Sequence, residues 1–238
     1  GLEARLIHQV GGTITVKSSD DGLNAKDWTL ESSDEQGPGQ QTKKVKSEAA
    51  NAKNLEQAGD VKIVIDGGTL TVDAEGDGLD ANGSIEINGG TVVVNGPTSG
   101  ANAALDYDDN GKLNGGTVLF VDNGEMTMGF GSDSSQAFLM ASVQGTAGTT
   151  VEVVDSSGKT VASLKASKAF STVLISSPEI KEGEKYTIKV GSNSTTATAS
   201  KQAANIGGGP GQGGPGGGQP GQGGPGGQPG QGGRPGGR

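Results

Sequence analysis

The chain is predicted to be all-β: a solenoid of short parallel strands, then a small antiparallel β module, then a disordered Gly/Pro-rich tail. Three observations predict it. The triplet Gly-Gly-Thr recurs at Gly67, Gly89 and Gly115, in steps of 22 and 26 residues, and each copy is followed by alternating apolar residues. The stretches between the triplets hold short strand-like runs and turn residues, with no helical periodicity. The composition, 30% hydrophobic and 3% aromatic with 46 glycines among 238 residues, starves a compact globule of core. A stack of coils needs only a thin inward stripe and tolerates glycine at its corners.

Laying the repeats on one another gives columns. After the triplets come Leu70 and Val72, then Val92 and Val94, then Val118 and Phe120, which are inward positions at period two. A second column pairs Leu79 with Leu105, and behind it Asp80 with Asp106. The segment from Gly11 to Ala25 adds Leu23 and Asn24, and the opening residues Gly-Leu-Glu-Ala add Leu2 and Glu3. The repeat therefore begins at residue 1, and further coils are expected to have preceded it.

Neighbouring rungs of a parallel ladder lie about 4.8 Å apart, so Glu3, Asn24, Asp80 and Asp106 form a row of mostly like charges at close range. Calcium takes oxygen ligands at about 2.3 to 2.6 Å, and twice that distance is about one rung. A divalent cation between rungs would turn repulsion into adhesion. The alternative is that the acids sit on splayed, solvated turns and that Asn24 only caps one. A separate cue is Asp106, Asp108 and Asn110 followed by Gly111, the first half of a calcium-loop pattern, with a similar half in Asp73, Glu75, Asp77 and Gly78. The twelfth positions are Thr117 and Ser84 instead of Glu, so neither is an EF-hand.

In chain order, residues 1 to 142 are read as the coils, with Ile14 and Val16 inward in the first. His8, the sole histidine, has no cysteine to share a zinc site with and is read as a structural residue at a rung edge. Trp28, the only tryptophan, either covers the core or offers a flat face to sugar. Residues 32 to 60 interrupt the register as a long insertion, polar at first and then with the composition of a short helix ending at Gly59. Met126, Met128, Phe130 and Phe138 are expected to close the end of the stack. Residues 143 to 200 read as three to five antiparallel strands with Asp-Ser-Ser-Gly and Gly-Ser-Asn turns. The remainder, 201 to 238, is mostly Gly, Pro and Gln without a strict third-residue period, which excludes collagen and predicts disorder or a spacer through a cell wall.

The net charge is −9, which disfavours nucleic acid and anionic membrane as partners. It is uneven: residues 1 to 140 hold 22 acids against 9 bases, and residues 141 to 238 hold 5 against 9. No apolar run is long enough to span a membrane. There are no cysteines, which leaves the compartment open. The millimolar calcium outside cells suits weak exposed sites, so an extracellular or cell-surface monomer is expected.

At the segments DDGLNA, GDGLDANGSIEINGGTVVVNGPTSG and ALDYDDNG the chain resembles a bacterial secreted carbohydrate-binding family. Its members fold as pectate-lyase-like right-handed parallel β-helices, bind calcium between coils, and adhere to cellulose and polygalacturonate. The resemblance covers about residues 1 to 200, including the closing segment MTMGFGSDSSQ. It implies calcium ligation at Asp20, Asp21, Asp77, Asp80, Asp106 and Asp108, with Asn24 as an amide-oxygen ligand.

Three functions compete. The first is a binding protein in which calcium on the acidic ridge holds uronate carboxylates while Tyr107 and Trp28 touch sugar. The second is a polysaccharide lyase, with calcium acidifying the carbon beside the carboxylate and Lys26 or Arg5 as the base. Those two cations also read as neutralising partners of the acid row. The third is a structural surface repeat or adhesin rigidified by calcium, a reading favoured by the scarcity of aromatic rings.

Overall fold

The computed structural model describes residues 1–27 and 61–202, all of it strand, turn and connection without a helix. Trp28, the insertion at 32–60 and the tail from residue 203 lie outside the described residues.

Twelve strands build three parallel sheets. The first sheet joins β1 (Leu2–Ala4), β4 (Leu23–Ala25), β7 (Leu79–Ala81) and β10 (Leu105–Tyr107) in that order. The second joins β2 (Leu6–Gln9), β5 (Lys62–Ile65), β8 (Ser84–Ile87) and β11 (Asn110–Leu113). The third contains β3 (Thr13–Ser18), β6 (Thr69–Ala74), β9 (Thr91–Asn95) and β12 (Thr117–Asp122). Each strand thus pairs with the one three places later, and the chain visits the sheets in turn through four circuits.

The columns follow from this register. Leu23, Leu79 and Leu105 align in the first sheet, Ile65, Ile87 and Leu113 in the second, and Leu70, Val92 and Val118 in the third. All nine are at most 2% exposed and lie in one core. The triplets make the corner before the third sheet. The second glycine of each has positive φ, 84° at Gly68 and 83° at Gly90. A Cβ on Gly68 would sit 2.3 Å from the Gly12 carbonyl oxygen, so both the turn and the stacking of one circuit on the next demand glycine there.

The last circuit is closed by side chains. Phe130 and Phe138 are buried, and Phe130 meets Phe120 and Phe138 edge to face at ring-centre distances of 5.8 and 5.7 Å. Met126 is 41% exposed and takes no part in this closure. Main-chain bonds from Gly131 N to Gly111 O and from Gln136 N to Leu113 O cap the edge of β11.

The remaining strands form a second core. They are β13 (Leu139–Gly145), β14 (Thr150–Val154), β15 (Thr160–Lys165), β16 (Phe170–Ser176), β17 (Lys185–Val190) and β18 (Asn193–Thr198). That is six strands where three to five were expected. β16 pairs antiparallel with β12, and β13 with β16, so the third parallel sheet runs on into the module. The others make a separate antiparallel sheet in the order β15-β14-β17-β18. β16 shows why the count fell short: apolar on both faces, FSTVLIS lacks the alternation that marks a half-buried strand. β12 is likewise covered on both sides, Val118 and Phe120 facing the first core and Leu119 and Val121 the second.

Lys168 pins the module to the stack. Its ammonium donates to the Ala74 carbonyl at 2.6 Å and lies 3.0 Å from carboxylate oxygens of both Asp73 and Glu75.

A candidate cation ridge and a neighbouring amide ladder

The motif Asp-Gly-Leu-Asn/Asp-Ala opens the first sheet on two circuits, at Asp21 and at Asp77. In both, the carboxylate reaches one circuit onward. Asp21 Oδ1 accepts from Asp77 N at 3.0 Å, and Asp77 Oδ1 accepts from Ala103 N at 2.6 Å. The intervening glycines are required, since a Cβ at Gly22 would lie 2.5 Å from the Gly78 carbonyl oxygen. These acids therefore fasten successive turns together as well as carrying charge.

Three residues later stands the row itself. Glu3 pairs with Asn24, Asn24 with Asp80 and Asp80 with Asp106 in parallel register, so the four share one column. Asn24 is buried; its Nδ2 donates to Asp21 Oδ2 at 2.9 Å, and its Oδ1 is buried with no hydrogen-bond partner. Asp77, Asp80 and Asp106 are half-buried. Burial and then the charges of Asp106, Asp21 and Asp20 push the Asp77 carboxyl up to about 6. Burial and then Asp21, Asp77, Asp106 and Asp108 push Asp80 up to about 7. Asp106 is raised as well, by burial and by Asp108. These acids sense one another across circuits, and the backbone amides of Ala103 at Asp77 and of Tyr107 at Asp106 offset the rise only in part.

The donor chemistry suits a hard cation: carboxylate oxygens from successive rungs and an amide oxygen lacking a partner. The side chains do not yet enclose one. Among the described residues no three or more His, Cys, Asp or Glu converge on a common point. Asp20 is exposed at the start of this turn, its amide bonded to Ser18 Oγ, and Asp108 is exposed beyond the last rung, 3.4 Å from Asn82 Nδ2.

The half-pattern at Asp73 and Glu75 is occupied differently, because Lys168 supplies the positive charge there. Arg5 and Lys26 are also paired. Arg5 lies 2.9 Å from Asp27, and Lys26 lies 3.8 Å from Glu3. Tyr107 takes the inward position that Ala25 and Ala81 hold on earlier rungs. Its ring lies where the side chain of Gly111 would be, a Cβ there falling 2.4 Å from Tyr107 Cε1. Its hydroxyl donates to the Gly129 carbonyl at 2.7 Å, which ties it to the end cap.

A second polar column runs along the corner before the glycine pairs, and sequence reasoning missed it. Asn88 Nδ2 donates to Asp66 Oδ1 at 2.8 Å, and Asn114 Nδ2 donates to Asn88 Oδ1 at 2.9 Å. Asn114 Nδ2 also lies within hydrogen-bonding distance of Glu86, and its Oδ1 accepts from Ser135. At the other end His8 Nε2 is 2.7 Å from Asp66 Oδ2. The bonds to Asn88 and His8 hold the Asp66 carboxyl below its usual range. The signal was present in the letters, since Asp66, Asn88 and Asn114 each immediately precede a Gly-Gly-Thr triplet.

No family model, no curated protein and no solved structure matches this chain.

Proposed function

We propose that the chain is a right-handed parallel β-helix that carries calcium between its circuits and, through those ions, binds acidic cell-wall-type polysaccharide at a bacterial surface. The observation that carries the reading is the partnerless, buried Oδ1 of Asn24 in register with Asp80 and Asp106, whose proton affinity is raised by burial and then by neighbouring carboxylates. A row of stacked carboxylates with an unpartnered amide oxygen is relieved by a proton or a metal ion, and with uronate carboxylates as ligand only the ion supplies attraction. Asn24, Asp80 and Asp106 would hold it, with Asp20, Asp21, Asp77 and Asp108 around them. Tyr107 and Trp28 remain the aromatic candidates for sugar contact. Tyr107 would offer only a ring edge, because its hydroxyl is engaged in the cap.

A second reading, a calcium-stabilised structural repeat without a glycan, draws on Asp21 and Asp77, whose bonds to the next circuit are themselves a fastening. Passing the full chain over immobilised polygalacturonate in millimolar calcium separates the two. The binding reading expects retention that EDTA abolishes and added calcium restores. Retention indifferent to EDTA removes the ion from the mechanism. Calorimetric calcium binding without retention leaves the structural repeat.

A further inference from the structure

We propose that Asn82 is a site of spontaneous modification, where the chain converts its own amide into a carboxylate and adds one acid beside the ridge. Six Asn-Gly pairs occur among the described residues, beginning at Asn82, Asn88, Asn95, Asn110, Asn114 and Asn123. Asn-Gly is the dipeptide most prone to deamidation, because glycine has no side chain to hinder attack by its own nitrogen on the asparagine Cγ. Two hydrogen bonds oppose that attack, one holding the glycine N–H and one holding the asparagine amide.

Five of the pairs are held. Asn88 and Asn114 donate along the amide ladder, and the nitrogens of Gly89 and Gly115 donate to the Ile65 and Ile87 carbonyls, each at 3.3 Å. Asn95 is buried with both ends of its amide bonded, and Gly96 N donates to Val121 O at 2.8 Å. Asn123 Nδ2 donates to the Gly100 carbonyl at 2.7 Å, and Gly124 N donates to Asp122 Oδ1 at 2.9 Å. Asn110 Nδ2 donates to Asp133 at 2.9 Å, and its glycine lies within β11 against the Tyr107 ring. Asn82 differs on every count. It is exposed in the turn between β7 and β8, its Nδ2 reaches only Asp108 at 3.4 Å, and the N–H of Gly83 donates to no described residue. The glycine cannot be exchanged, since a Cβ on Gly83 would lie 2.1 Å from the Val61 carbonyl oxygen.

The reaction needs only water. The Gly83 nitrogen bonds to Asn82 Cγ, the Cγ–Nδ2 bond breaks, and ammonia leaves with the proton that the glycine nitrogen gives up. Water then opens the resulting succinimide at either carbonyl, which yields aspartate or, with the main chain rerouted through Cγ, isoaspartate. Asn82 stands one rung before Asp108, since Asn82 N donates to Ala25 O and Asp108 N donates to Ala81 O. The product therefore sets carboxylate beside carboxylate, as Asp80 and Asp106 already do, and removes the amide donor that faces Asp108. None of this depends on whether an ion binds.

The test is peptide mapping by mass spectrometry of the full folded chain, aged in EDTA and mildly alkaline buffer. Asn82 is expected to convert about tenfold faster than Asn88 or Asn114, whose glycines must first give up a hydrogen bond. Aged in urea, all three should convert at similar rates, because the fold makes the choice. Asn82→Gln, whose longer side chain closes a ring far more slowly, should remove the acidic species that native charge separation resolves first. The proposal is overturned when folded Asn82 converts no faster than the ladder asparagines, when the same ranking persists in urea, or when the early acidic species survives in the glutamine variant. Calcium-dependent retention on polygalacturonate is untouched by any of these results.

Discussion

The stack carries two polar columns, Glu3, Asn24, Asp80 and Asp106 in the first sheet and Asp66, Asn88 and Asn114 at the corner leading into the third. Their electrostatics are opposite. In the amide ladder Asn114 donates a hydrogen bond to Asn88 and Asn88 donates one to Asp66, so each rung's acceptor meets the next rung's donor. The single carboxylate at its end is stabilised in its charged form. In the acidic column Asp80 and Asp106 set carboxylate over carboxylate, and burial with the neighbouring charges lifts the carboxyl of Asp80 to about 7 and that of Asp77 beside it to about 6. Stacked polar residues at this spacing are self-sufficient when they combine donor with acceptor. When they do not, they call for a proton or a cation.

The contrast is most severely broken by converting the amide ladder into the acidic one. Asn114→Asp removes the donor to Asn88 and sets a charge beside Glu86. It should cost about 2–3 kcal/mol in urea denaturation, from lost bonds plus like-charge proximity. Wild-type-like stability would show that the ladder is incidental.

A smaller effect is expected from pH. Because the folded state raises the pKa of Asp77 and Asp80, the stability they allow is complete below their ordinary pKa of 3.8 and is lost as the pH climbs through about 6 to 7. The lowered Asp66 acts in the opposite sense and gives way only in more acidic solution. Melting of the metal-free chain should therefore fall by about 3–5 °C from pH 5 to pH 8. Calcium should cancel the slope by replacing the proton. A flat metal-free profile would mean that neither burial nor the neighbouring charges raise these carboxyls.

The mildest change sharpens the comparison. Asp80→Asn repeats one rung onward what Asn24 already does, placing an amide among the acids. In EDTA it should raise the melting temperature by about 2–4 °C, roughly 1 kcal/mol, while weakening the response to calcium. A variant that melts lower without metal would indicate that Asp80 is a structural acceptor.

Much of this architecture was legible as spacing. The triplets, the leucine column and the row of Glu3, Asn24, Asp80 and Asp106 could be aligned from the letters because a parallel stack repeats its register at every circuit, so distance along the chain converts directly into proximity. The closing role of Phe130 and Phe138 was legible too, as apolar residues where the repeat stops. The amide ladder was equally periodic but was overshadowed by the glycines beside it.

What the letters alone determined is the set of positions that stack, since one-dimensional repetition dictates it. Only the tertiary structure decided what each stacked group meets. It set Lys168 against Asp73 and Glu75 from a strand connection far along the chain, folded Tyr107 over Gly111, and buried β12 and β16 on both faces, erasing the alternation by which strands are read. Those contacts join segments with no common period, and charge, donor and void are matched there by three-dimensional packing, which no spacing along the chain encodes.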